Sequence, residues 1–160
     1  MIGTNFRFVR VACFALLMCF VSILSTDVAF GGDGEFDPLS IVTSGGKRDF
    51  QVEVMRTKDE QQRGMMFRRS LADDRGMLFP FAAPEVATFW MQNTYVSLDM
   101  IFIKADGTVH RIEKRAEPLS TETISSGAPV LAVLEVVAGT ADRLGISPGD
   151  KVIYPLFGTP

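Results

Sequence analysis

Beyond its first 29 residues, this chain carries its apolar side chains in short runs. Each run is alternating or wholly apolar, and each is closed by Gly, Pro, Asn or Asp. A strand sends successive side chains to opposite faces, whereas a helix repeats its apolar positions every three to four residues. The spacing therefore restricts the chain to a sheet-dominated fold. Phe50, Val52 and Val54 alternate with Gln51, Glu53 and Met55. Met77–Phe81 and Ala87–Met91 follow, and Met100–Lys104 is apolar on both faces, as a central strand would be. Ala105-Asp106-Gly107 predicts a hairpin turn into Thr108–Lys114. Pro129–Val137 is a long apolar run, and Lys151–Phe157 puts Val152, Tyr154 and Leu156 on one face. Two short helices punctuate this series. Thr57-Lys58-Asp59-Glu60 reads as a capping box with Gly64 as the stop, and Thr140 is placed to cap Ala141–Leu144 before Gly145. The expected fold is mostly β: an antiparallel β-sandwich or partly closed barrel with two short helices.

The N-terminus obeys a different rule. Arg7 and Arg10 precede an apolar run at residues 11–24, and the chain then turns polar at Ser25-Thr26-Asp27. That order is the one of a secretory signal, and the run is shorter than the ~20 residues a spanning helix needs. Residues 1–29 are therefore expected to be a signal peptide that directs export, periplasmic or secreted. Both cysteines, Cys13 and Cys19, lie inside it, so the mature chain has no thiol chemistry and no disulfide. Without those residues the chain keeps 14 basic and 18 acidic side chains, a net charge of −4. That balance argues against nucleic acid or an anionic membrane as partner. Residues 30–48, rich in glycine, read as a linker with a short edge strand at Leu39–Thr43, and 49–160 as a single β-rich domain. A monomer without cofactor is expected, taking an unknown ligand or protein as partner.

The chain has no G-x-S-x-G elbow, no phosphate-binding glycine loop and no H-E-x-x-H. Its one histidine, His110, falls on the return strand of the hairpin and reads as a strand side chain rather than a catalytic base. Two segments stand out: Arg63-Gly64-Met65-Met66-Phe67-Arg68, and Phe89-Trp90-Met91-Gln92-Asn93-Thr94. They combine the single tryptophan with thioethers, which adapt to irregular apolar gaps. Three uses are open to them. They are core packing; or a pocket drawn from Arg63, Met65, Met66, Phe67, Trp90, Met91, Asn93 and Thr94; or a copper(I) site from Met65, Met66, Met91 and Met100 with His110. Asp99 and Glu135 are the acids embedded in strongly apolar strands, and each must be paired or stay protonated. Asp99 is expected to accept N–H groups at the turn from Thr94 to Leu98, and Glu135 to pair with Arg63 or Arg68. If instead they converged under Trp90, the pair would suit carboxylate-based hydrolysis. A non-enzymatic binding or accessory module is the preferred reading, and the hydrolase is the alternative.

The motifs R-G-M-M-F-R at 63–68, G-M-L-F at 76–79, F-W-M-Q-N-T at 89–94 and L-D-M-I-F-I at 98–103 come in a familiar order. So do V-L-E-V at 133–136 and G-I-S-P-G-D at 145–150. Over about residues 49–157 the chain resembles the domain of unknown function 192 family, also known as uncharacterised protein family 0127. The resemblance implies a small β-rich domain, often exported, with a sandwich-like fold. It implies no activity, substrate or cofactor.

Overall fold

A computed structural model describes residues 35–158. The signal-peptide expectation for residues 1–29 lies outside that range. Seven strands make one sheet: β1 (Phe36–Thr43), β2 (Gly46–Val54), β3 (Arg75–Phe89), β4 (Leu98–Ile103), β5 (Val109–Ala116), β6 (Ile124–Val137) and β7 (Lys151–Ile153). Their order is β5-β4-β6-β3-β2-β1-β7. All pairings are antiparallel except β2 with β3. The two short helices are α1 (Lys58–Arg63) and α2 (Thr140–Leu144). The fold is thus the partly closed barrel of the two expected alternatives, a single curled sheet rather than a sandwich.

The curl brings the two edges together at one end. Thr108 bridges Lys151, Val109 donates its N–H to Asp150 at 2.9 Å, and Val152 donates to the Gly107 carbonyl at 2.8 Å. The Asp106-Gly107 turn is what allows the approach. Gly107 has φ +79°, and a Cβ there would lie 2.8 Å from the Val152 carbonyl oxygen.

The sheet buries both of its faces. Leu39, Ile41, Phe50, Val52, Leu78, Ile101, Leu134, Val136 and Val152 fill the concave core. Met65, Met77, Phe79, Met91, Leu98, Met100, Phe102 and Val133 make a second cluster. Strand β6 feeds both by alternation: Ala132, Leu134 and Val136 belong to the first, Val133 to the second. Glu135, flanked by Val133, falls on the second side.

Several local expectations are met and others are corrected. The capping box at Thr57 forms as read, with the Glu60 N–H 3.2 Å from the threonine hydroxyl and the Glu60 carboxylate returning to the Thr57 N–H. Residues 36–48 are not a linker. Leu39 and Ile41 enter the core from β1, whose register runs Thr43↔Gly46 into β2 across the Ser44-Gly45 turn. Met77–Phe81 and Ala87–Met91 belong largely to the one long strand β3, bent by register shifts between Pro80 and Glu85 and between Val86 and Thr88. Thr140 does not cap α2: the N-cap is Gly139, and Thr140 is buried inside the helix. The last strand ends at Ile153, because Pro155, which lacks an N–H, opens a 3-10 turn.

Candidate functional site

The irregularity in β3 opens the second face of the sheet. While β6 moves only from Ala132 to Val130, β3 runs from Pro80 to Glu85, and the excess carries Phe81 away from the ladder. Between this bend and the segment that follows α1 lies a cavity of about 650 Å³. That is within the usual range for small-molecule sites. Its walls include Met65, Phe79, Phe81, Ala87 and Phe89, and its mouth includes Lys58, Asp59, Arg63, Glu85 and Trp90. Phe79 and Phe89 meet edge to face at 5.3 Å, and Phe89 stands edge-on to Phe102 at 6.4 Å, so the wall is held by rings in a favoured arrangement. The end of α1 is pressed against it: a Cβ on Gly64 would sit 3.0 Å from the Phe79 ring.

Glu135 also lines this cavity. On β6 it lies between Met77 of β3 and Met100 of β4 in register, and only 4% of its surface is exposed. Its Oε2 is buried and has no hydrogen-bond partner among the described residues. Burial alone pushes its pKa up to about 8, so the carboxyl holds its proton at neutral pH.

Next to the lining residues Met66 and Thr94 the backbone is strained. Phe67 (φ 65°), Asn93 (φ 56°) and Leu119 (φ 65°) adopt left-handed conformations, which cost a non-glycine residue of order 1–3 kcal/mol. Backbone bonds tie them together: Phe67 N–H to the Asn93 carbonyl at 2.9 Å, and Leu119 N–H to the Thr94 carbonyl at 3.1 Å. The same segments expose Phe67, Trp90, Tyr95 and Leu119, each about half open to solvent.

A sequence profile of the family DUF192, described as "Uncharacterized ACR", matches residues 40–154. The chain belongs to the DUF192 family. A crystal structure from Sinorhizobium meliloti 1021, described as a "putative transcription regulator", is 42% identical. It aligns over 74% of this chain and 92% of its own, with a TM-score of 0.72. A protein of unknown function from Novosphingobium aromaticivorans DSM 12444 is 43% identical over 74% of this chain and 85% of its own, with a TM-score of 0.73. No functionally curated protein matches.

Within this DUF192 fold, the residues singled out in the sequence separate into three groups. Arg63, Met65, Met66, Trp90 and Thr94 line the cavity together with Glu135. Phe67 and Asn93 do not line it, being the left-handed residues beside Met66 and Thr94, and Met91 is wholly buried in the second cluster. Trp90, 53% exposed, is a mouth residue and not an enclosed one. Asp99 is elsewhere. It pairs with Val136, one position out of step with Glu135, which pairs with Met100. The two carboxyls therefore project from opposite faces of the sheet, and the paired-carboxylate arrangement is not present. Asp99 accepts from Arg115 N–H and Ala141 N–H, both at 2.9 Å, rather than from the 94–98 turn. Glu135 has neither arginine as partner: Arg68 is held in a two-pronged pair by Glu53, and Arg63 makes no ion pair with it.

For the copper(I) alternative, the structure buries Met65, Met91 and Met100 in the second cluster and leaves Met66 half-buried at the cavity. His110 lies outside that cluster, as the extra residue of a bulge between Val109 and Arg111. Among the described residues no group of three or more His, Cys, Asp or Glu could hold a metal ion. Phe79, Phe81 and Glu85 are not legible as site residues, and Phe89 opens one of the two distinctive segments without being counted among the pocket residues. They converge only because β3 bends, and no local spacing announces a bend of that size.

Proposed function

We propose that this DUF192 chain is an exported, non-enzymatic binding module that takes a small, largely apolar molecule into the cavity floored by Glu135. The observation that carries the reading is the Glu135 carboxyl, buried with one oxygen unpartnered at the end of a ligand-sized apolar recess. An unpaired buried polar group of this kind costs about 1–3 kcal/mol, and a bound molecule offering a hydrogen bond recovers it. The strained backbone beside Met66 and Thr94 and the half-exposed aromatic side chains of the same segments support the same reading, because strain of this kind gathers at ligand-binding segments. Export is supported by the charged, apolar, polar order of residues 1–29. The regulator description of the Sinorhizobium relative is not carried over. The mature net charge is negative, and neither α1 nor α2 is longer than six residues. Native mass spectrometry of the protein and of Glu135→Gln, both purified from the exported fraction, tests the reading. A small molecule retained by the wild type and depleted in the variant is expected. Ligand-free spectra for both, with no thermal shift by any member of a small-molecule panel, would overturn it. N-terminal sequencing should begin between about Phe30 and Asp33; recovery of intact Met1 from membranes would overturn export.

A further inference from the structure

The binding reading leaves open what chemistry Glu135 receives, and the surroundings of that side chain narrow it. A buried carboxyl is stable when it stays protonated or when a cation meets it, and among the described residues no cation pairs with Glu135. The in-register neighbours of Glu135 on β3 and β4 are Met77 and Met100, and its own strand offers Val133 and Val137 on that face. The charged groups that line the same cavity are Lys58, Asp59 and Arg63 from α1 and Glu85 from β3, all exposed at the mouth. None of the four forms an ion pair with Glu135, and the mouth is balanced between two acids and two bases. The floor therefore decides the sign of the guest. Between floor and mouth Met65, Phe79, Phe81 and Phe89 stand beside Gln61 and Thr94; the apolar side chains accept an apolar body, and the phenylalanine ring faces also favour a positive charge.

Resting on the binding reading above, we propose that the molecule is an organic ammonium, whose apolar body lies along Phe79, Phe81 and Phe89 and whose protonated amine is received by Glu135. A neutral alcohol satisfies the carboxyl with one hydrogen bond. An ammonium brings three donors and the opposite charge, so that the acid becomes half of a buried ion pair. An anion meets a group that cannot ionise beside it. The pairing also moves a proton. The free Glu135 carboxyl is protonated at neutral pH, the ammonium keeps its own proton, and the carboxyl proton passes to solvent as the complex forms.

Isothermal titration of the full-length exported protein at pH 7 with 2-phenylethylamine, 2-phenylethanol and 3-phenylpropionate tests this, because the three share a body and differ at the tip. A second series (hexylamine, hexanol, heptanoate) changes the body. The ammonium member should bind at least ~10-fold more tightly than the alcohol, and the carboxylate more weakly still. Glu135→Gln should lose at least ~10-fold of the ammonium affinity and less of the alcohol affinity, so that the preference between the two collapses. Titration in buffers of different ionisation enthalpy should show net proton release per ammonium bound, because burial raises the free Glu135 carboxyl toward about 8 and the paired carboxylate gives that proton up. That measurement uses the wild type and does not depend on the variant folding. If alcohol or carboxylate binds as tightly as the ammonium, or no proton is released, the ammonium assignment is overturned and the binding reading stands. If no member of either series binds, both fall.

Discussion

Replacing Glu135 by glutamine should change how stability depends on pH. In the folded protein the carboxyl keeps its proton up to about pH 8, while in the unfolded chain it ionises near its ordinary 4.5. Between those values the unfolded state binds fewer protons than the native state. Wild-type stability must therefore fall as pH rises, by up to 1.36 kcal/mol per pH unit. The contribution is fully present below about pH 4.5 and exhausted above about pH 8. Integrated from pH 5 to pH 8, the loss is about 3–4 kcal/mol, a large part of the total stability of a domain this size. Glutamine keeps the shape and carries no titrating proton, so its own unsatisfied amide adds a constant offset and no slope. Urea titrations of both proteins at pH 5, 6, 7 and 8 give the comparison, with free energies extrapolated to water. Whatever the constant offset between them, the wild-type curve should fall relative to that of the variant by about 3–4 kcal/mol from pH 5 to pH 8. Parallel curves over this range would refute the reasoning, since they would mean that Glu135 titrates alike in both states.

Asp99→Ala should destabilise the fold by ~2–4 kcal/mol in a chemical melt, because it strands the Arg115 and Ala141 N–H groups together. Thr57→Ala should cost ~0.5–2 kcal/mol through loss of the cap on α1, and an unchanged melt would contradict the observed capping box. Gly107→Ala should cost more than ~1 kcal/mol, since the residue is left-handed and crowded by the Val152 carbonyl; an unaltered midpoint would show that the seam gives way freely. Trp90, half exposed, should emit close to solvated indole and be readily quenched by acrylamide, with the emission moving blue when the cavity fills. A strongly blue native spectrum would contradict the observed exposure.

What was legible in the sequence and what was not divide along one line. Thr57 and Glu60, Gly145, and the Asp106-Gly107 turn are decided by neighbours a few residues away, and each behaves as read. The β-rich class follows from alternation, which is also local. The relation between Asp99 and Glu135 is not local. Each stands in the sequence as an acid in an apolar strand, but whether they share a cleft depends on the register Met100↔Glu135, and a slip of one residue reverses the answer. Leu39–Thr43 reads as a short edge strand in a glycine-rich linker, yet β1 is fixed by β2 on one side and β7 on the other. The cavity depends on extra residues in β3, whose prolines suggested two strands with a break between them.

The pairing of β1 with β7 has a consequence for how the chain comes to be folded. Ile41 meets Val152, so the seam joins segments from opposite ends of the described chain, and the entropy of closing so long a loop makes this contact expensive to reach early. Until residues 151–153 arrive, the outer edge of β1 presents unpaired N–H and carbonyl groups, an open template for another copy of the chain. A protein threaded across a membrane from its N-terminus would carry that exposed edge until nearly the whole chain had emerged. Its yield should then hinge on chaperoning during that interval more than on the stability of the finished barrel.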